Sequence, residues 1–417
     1  MKRLFIYVLS IAVINACTIS NHVQKKISNQ LNTDYLVKNV LDSFNKYEAQ
    51  IIYTQINRDI YNKPSFKSYS WNAHPDYYFY PASMVKMPVA FLAVEKINQL
   101  SKEKKAIHLF TPMRTGSERS PQTSANTDST SATLLPSVGH YLKKIFIVSD
   151  NDAFNRLYEF VGQEKINERL HTLDYLHTCI IHRLDAPEFD YEANKYTNPI
   201  SLYEEDLKLY DQPERFNAKD VRVKGISSLL KGDGFIKDDQ FIPKPFDFST
   251  KNYFSLEDMS QMIRAAMFPQ SVESNKRFNI TDEQWNFIRI QMSKLPRESR
   301  HPVYDSTHYD SYCKYFMFGD SHQRIPDHIR IFNKVGWAYG YLTDAAYIID
   351  LKNNLEFILT ATINSNINRI YNDGKYEYSS IGLPFLSKIG RIIYQYESTR
   401  KKKYTPDLTA FKLNYNE

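Results

Sequence analysis

Six serines in this chain have a lysine three residues downstream: Ser43, Ser83, Ser101, Ser228, Ser311 and Ser398. On a helix such positions share a face, so each pair can bring a hydroxyl and an amine together. Only Ser83 follows an aromatic, strand-like run (Tyr77 to Tyr80) and opens an apolar helical stretch, Ser83 to Leu100. A lysine buried there, Lys86, loses ammonium character and can accept the hydroxyl proton. The helix N-terminus favours negative charge developing at Ser83. Together these features suit nucleophilic attack on a carbonyl. The competing reading is a buried helix with an incidental cap, because serine is a good N-cap.

Two further groupings bear on the same chemistry. Ser149-Asp150-Asn151 is the only such triplet in the chain and lies between two helical segments. Its hydroxyl can relay a proton and its Asn amide can hold a substrate amide; all three residues are also ordinary helix caps. Lys334-Val335-Gly336 ends a strand-like run that begins at His328. A cation and a small residue at a strand edge suit an anionic, peptide-like substrate lying alongside, or simply mark a surface lysine. Lys388-Ile389-Gly390 repeats the spacing inside the last helical segment and is read as a decoy.

The elements that must position these residues follow from periodicity. Asp34 to Ala49 has helical spacing, and Gln50–Ile56 and Lys67–Asn72 favour strands. Residues 112–133 are rich in Ser, Thr and Pro and read as a surface loop. Helical patterns fill 137–147, 151–161 and 163–176, and Ser255 to Asp258 and Thr281 to Gln284 look like capping boxes. Strand-like runs His328–Val335, Asp344–Leu351 and Leu355–Ile363 precede a final helix at about 380–397. Neither strand group makes a good sheet alone. The economical solution is one mainly antiparallel sheet from both chain ends, covered by the first and last helices, with the central helices forming a second lobe. The expected fold class is thus α/β with two lobes, and the site is expected between them. The α/β lobe would take about 34–80 and 328–397, and the helical lobe about 81–327.

Length and composition bound the rest. The 417 residues are 42% hydrophobic and 24% charged, which excludes a disordered, collagen-like or polytopic membrane chain. Net charge is +6, too mild to imply nucleic acid. Gly is scarce at 12, against Gly-rich phosphate-binding architectures. Residues 1–17 have the form of a secretory signal: Lys2 and Arg3, then an apolar run from Leu4 to Ala16 that is too short to span a bilayer. The run ends Ile14-Asn15-Ala16-Cys17, which resembles a bacterial lipobox, and this implies lipid on Cys17 and a membrane anchor. Residues 18–33 read as a polar tether and 398–417 as a solvated basic tail holding Arg400 to Lys403. Cys179 and Cys313 are left either to pair or to stay buried.

In this order and these contexts, the Ser83, Ser149 and Lys334 motifs resemble the set found in class A β-lactamases and penicillin-binding proteins. The Lys86-Met87-Pro88-Val89-Ala90 continuation is also similar to that family. The resemblance spans about 34–397, with insertions at about 203–254 and 296–327. It implies that Ser83 is the acylated nucleophile and Lys86 its activating base or relay. It makes Ser149 the proton donor to the leaving nitrogen, Asn151 the ligand of the substrate amide, and Lys334 the positive charge facing the substrate carboxylate. Gly336 and Trp337 then fall with Asn151 and Lys334 among the substrate-binding residues, and the N–H groups of Ser83 and Trp337 form the oxyanion hole. Arg183 to Glu188 resembles the start of the family's Ω-loop, with Glu188 on the carboxylate that activates the deacylating water.

The implied activity is hydrolysis of the β-lactam amide of penicillin-type antibiotics. The alternatives are a cell-wall peptidase or esterase and a slowly deacylating penicillin-binding lipoprotein. The implied protein is a monomer on the periplasmic side of a bacterial membrane, the outer membrane favoured, with no cofactor. The eleven His show no zinc spacing such as His-Glu-x-x-His. The chain departs from the family at Glu192, Val335 and Trp337 and in the length between Glu188 and Lys334. The aromatic residues of 304–317 read as core or loop packing.

Overall fold

A computed structural model describes residues 22–222 and 225–415. The signal segment and Cys17 lie outside the described residues. Five strands form one antiparallel sheet: β1 (Gln50–Arg58), β2 (Pro64–Trp71), β3 (Ile329–Ala338), β4 (Tyr341–Asp350) and β5 (Leu355–Asn364). Their order is β3-β4-β5-β1-β2, so the strands from the C-terminal part join those from the N-terminal part through β5 and β1. The register pairs Ile52 with Thr360 and Lys334 with Ala345.

Successive strand residues face opposite ways. Ile51, Tyr53, Ile348 and Leu359 pack with Leu386, Ile389 and Ile393 of the last helix, Leu383–Thr399. Ile52, Ile56, Tyr347 and Ile358 pack on the other side with Met259 and Ile263. Both faces are therefore covered, which is why β4 and β5 are buried along their whole lengths.

Three sequence expectations change here. Residues 22–31 are helical rather than a tether, with Ile27 and Leu31 buried against the sheet helices. The helix Leu256–Met267 packs on β4, β5 and β1 instead of joining the helical lobe. Its apolar stripe of Leu256, Met259 and Ile263 is as well suited to a sheet as to helices, so spacing alone did not decide between them. The C-terminal segment is no solvated tail: Phe411 stacks edge-on against Phe332 and tilted on Tyr347, while Arg400 bonds the buried Glu397 at 2.9 Å. The basic residues had masked the apolar anchors Leu408 and Phe411.

The second lobe centres on the helix Lys86–Glu103, buried almost all round. Pro88 sits in its first turn, where the missing N–H leaves no intrahelical bond unmade. The helices Val138–Ile147, Asn151–Val161 and Gln163–Thr172 pack around it. Thr281 and Gln284 form a full capping box. Ser255 caps without the reciprocal bond, because Asp258 instead accepts from His177 N and Thr178 Oγ1. Cys179 and Cys313 are both buried and form no disulfide with each other. In the 304–317 stretch Tyr315 and Phe316 are core, and Tyr312 is 37% exposed. Among the described residues no helix is long and apolar enough to cross a membrane.

Candidate active site

Ser83 lies in the tight turn Ala82–Val85 that leads into the helix Lys86–Glu103. Ala82 holds a left-handed backbone (φ 47°), a costly conformation for a non-glycine residue. β3 presses on this turn from the side. A Cβ added at Gly336 would stand 2.4 Å from the Pro81 carbonyl oxygen, so only glycine lets the strand end lie beside Ser83. Trp337 follows at the cleft edge, half exposed, with its ring 4.8 Å from Tyr378. Val335 points the other way, into the apolar layer beneath the sheet.

The three motifs meet at Ser149. Its backbone is also left-handed (φ 63°), a reversal between the helix Val138–Ile147 and the helix that Asp150 caps. Lys86 Nζ donates to the Ser149 carbonyl, to Ser149 Oγ at 3.3 Å and to Asn151 Oδ1 at 2.6 Å. Lys334 Nζ donates to Ser149 Oγ at 2.7 Å and to the Val335 carbonyl at 2.8 Å. One hydroxyl thus lies between two lysine amines contributed by a helix and a strand. No hydrogen bond joins Ser83 Oγ to Lys86, and catalytic contacts are often long before substrate binds.

Burial is the main electrostatic cause. Lys86 has no exposed surface, and burial, reinforced by the charge of Lys334, lowers its pKa well below the ordinary lysine value. Burial also lowers Lys334, to about 8. A neutral Lys86 keeps two N–H donors, enough for the Ser149 carbonyl and Asn151 Oδ1, and has a lone pair that can take a proton.

Sequence reading missed the layer behind Lys334. Lys314 donates to Asn333 Oδ1 at 2.6 Å and to the Met292 carbonyl at 2.8 Å. Asn333 Nδ2 donates to Asp344 Oδ1 at 2.8 Å, and Asp344 Oδ2 accepts from the backbone N–H groups of Tyr315 and Phe316. All three side chains are buried. Burial pushes the Asp344 carboxyl up and the Lys314 amine down. Ser311 and Lys314 are one of the six Ser-x-x-Lys pairs, and the fold buries this lysine against Asn333 instead of bringing it to its serine.

The Ω-loop-like segment brings two carboxylates to the site. Glu188 is exposed and lines an adjoining cleft, which shares Asn151 and Asp185 with the Ser83 cleft, but it does not itself line the Ser83 cleft. Asp185 lines the Ser83 cleft, and its Oδ2 accepts from Asn151 Nδ2 at 3.4 Å. The loop is pinned just before it: Arg183 bonds Glu159 at 2.9 Å, and Leu184 N donates to Asn155 Oδ1 at 2.9 Å. Asp185 then turns left-handed (φ 51°), and after Glu188 the chain returns to line the same cleft with Phe189, Asp190 and Tyr191. Glu192 adds no charge at the site, because it pairs with Lys195 at 2.8 Å. Lys388 pairs with Asp34 far from Ser83, as its place in the last helix implied. Among the described residues no cluster of three or more His, Cys, Asp or Glu is placed to hold a metal.

Residues 35–217, somewhat under half of the chain, match the beta-lactamase enzyme family. That segment is β-lactamase-like. No curated protein matches the chain. Among solved structures it is similar to a β-lactamase from Sphaerobacter thermophilus (13% identity, 88% of this chain and 98% of that one, TM-score 0.45). It is similar as well to a class A β-lactamase from Clostridium kluyveri (12%, 87% and 98%, TM-score 0.47) and to PBP-A (12%, 90% and 95%, TM-score 0.43).

Proposed function

We propose that this β-lactamase-like chain is an exported serine hydrolase that opens a cyclic or activated amide through an acyl-enzyme at Ser83. The observation that carries the reading is Ser149 held between Lys86 and Lys334 beside a serine at the cleft mouth. Ser83 Oγ attacks the amide carbon, and its proton passes to neutral Lys86. Ser149 hands a proton to the leaving nitrogen as the C–N bond breaks and is re-protonated by Lys86, while Lys334 stays charged and faces the substrate carboxylate. Ser83 N and Trp337 N stabilise the oxyanion. Water then adds to the ester, Asp185 takes its proton, and that proton passes to Ser83 as it leaves, which restores the starting charges. Cys17 carries a lipid anchor in this reading, and the catalytic domain works on the periplasmic side of a membrane.

The substrate class is a β-lactam. A second reading, a penicillin-binding protein that deacylates slowly, draws support from Asp185, which is exposed and held only by Asn151. A time course of intact mass after mixing with a penicillin separates the two. An adduct of penicillin mass that rises and decays while hydrolysed penicillin accumulates is expected for a β-lactamase. A persistent adduct favours the second reading, and no adduct with an intact fold would defeat both.

A further inference from the structure

The Ser83 cleft extends well beyond the reacting groups. Its volume is about 850 Å³, near the upper end of the roughly 300–1,000 Å³ usual for small-molecule sites. Asn151 and Asp185 line one side, whereas Lys334 does not border this space. In the reading above Lys334 holds the leaving side of the substrate, so the cleft receives the acyl side.

The far wall comes from residues 230–251, inside one of the insertions. This wall is built in, not draped over the surface. Lys231 Nζ bonds the buried Glu48 Oε2 at 2.7 Å. The hairpin Gly234–Lys237 and Gln240–Ile242 turns through Asp238 and Asp239, both with positive φ, as a tight two-residue hairpin requires. Its first strand pairs with Ile370–Tyr371. Phe248 is fully buried, and Phe246 lies 5.5 Å from Tyr339.

Lys251 stands in this wall, half-buried and lining the cleft. Among the described residues no carboxylate or hydrogen-bond acceptor meets its ammonium, and burial lowers its pKa. The carboxylates of the cleft are occupied elsewhere: Asp185 with Asn151, and Asp190 with the Ala193 N–H at 2.7 Å. Burial holds the neighbouring His182 neutral, at about 4. An unpaired, partly desolvated ammonium in a preformed cleft calls for an anion.

We propose that Lys251 anchors a free carboxylate on the acyl side of the substrate, so that this site takes peptide-like amides with an acidic acyl end. The inference rests on the acyl-transfer reading for its polarity. Two probes differ only at the far end: 6-aminopenicillanic acid N-acylated with adipic acid, and the same compound with the distal carboxyl as a primary amide. Calorimetry on full-length Ser83→Ala protein, which binds without reacting, should show the acid bound about tenfold or more tightly than the amide. Adding Lys251→Met should collapse that ratio to near one, and Lys251→Arg should restore it. Equal binding of the two probes to Ser83→Ala, or no binding of the acid, overturns the proposal. A ratio that survives Lys251→Met assigns the preference to another group and overturns it too. Adduct formation by the Ser83 protein is scored separately. Absence of any adduct defeats the acyl-transfer reading, and the binding ratio still decides Lys251.

Discussion

Two walls stand near Ser83, and they are made differently. On one, Lys86 and Lys334 are buried and tied to Ser149, and behind Lys334 the buried Lys314, Asn333 and Asp344 are tied to one another. On the other, Asp185 and Glu188 are exposed on a loop pinned at its two ends, by Leu184 N on Asn155 Oδ1 and by Asn194 Nδ2 on the Phe189 and Asp190 carbonyls. Buried polar groups must be paired, so the first wall has a single arrangement and is organised before substrate arrives. Between its pins the exposed carboxylates carry no such constraint. In the proposed reaction, the step that forms the acyl-enzyme rests on the fixed groups and the step that clears it rests on the less constrained wall.

The sharpest break in that contrast is Ser83→Ala, for which no covalent adduct should be seen by intact mass. Lys86→Met comes next: loss of a general base should slow acylation by about 10²–10⁴-fold, read by stopped-flow with a chromogenic cephalosporin. Asp185→Asn should leave acylation within a few-fold but slow decay of the adduct by about 10²–10⁴-fold. If instead Glu188→Ala trapped the adduct and Asp185→Asn did not, the loop assignment would be reversed.

The walls should also differ in stability. Lys314→Met leaves Asp344 without its nearest cation and should cost about 3 kcal/mol in urea unfolding, whereas Asp185→Asn should stay within about 0.5 kcal/mol. The smallest effect concerns pH. Lys334 works charged, and its pKa is lowered to about 8, so kcat/KM should fall as pH rises through about 8. Lys86 works neutral, and burial lowers its pKa, so activity should also fall on the acidic side as Lys86 takes up a proton. Lys334→Arg, which keeps its charge, should move the alkaline limb upward; an unmoved limb would remove Lys334 from the pH profile.

Much of this was legible in the residues. Helical spacing placed Ser83 and Lys86 one turn apart, and alternating apolar runs gave β1 and the three late strands. The family-like motifs named Ser149, Asn151 and Lys334, and the model brings them together. Where the reading went astray, local signals were ambiguous. Polar residues around Ile27 and Leu31 concealed a packed helix, and basic residues concealed Phe411. Glu188 and Asp185 differ by a single turn of chain, and composition cannot say which one faces inward.

The sequence by itself determined the local units: which segments are helices or strands, which faces are apolar, and which residue types could move a proton. Only the tertiary structure decided that Lys86 and Lys334, separated by most of the chain, converge on one hydroxyl, because that depends on how β3 closes against the turn at Ser83. It also decided that Asp185 rather than Glu188 lines the Ser83 cleft and that Lys251 stands in its far wall. Both choices follow from how loops are pinned and buried, which is a property of long-range packing and leaves no periodic trace along the chain.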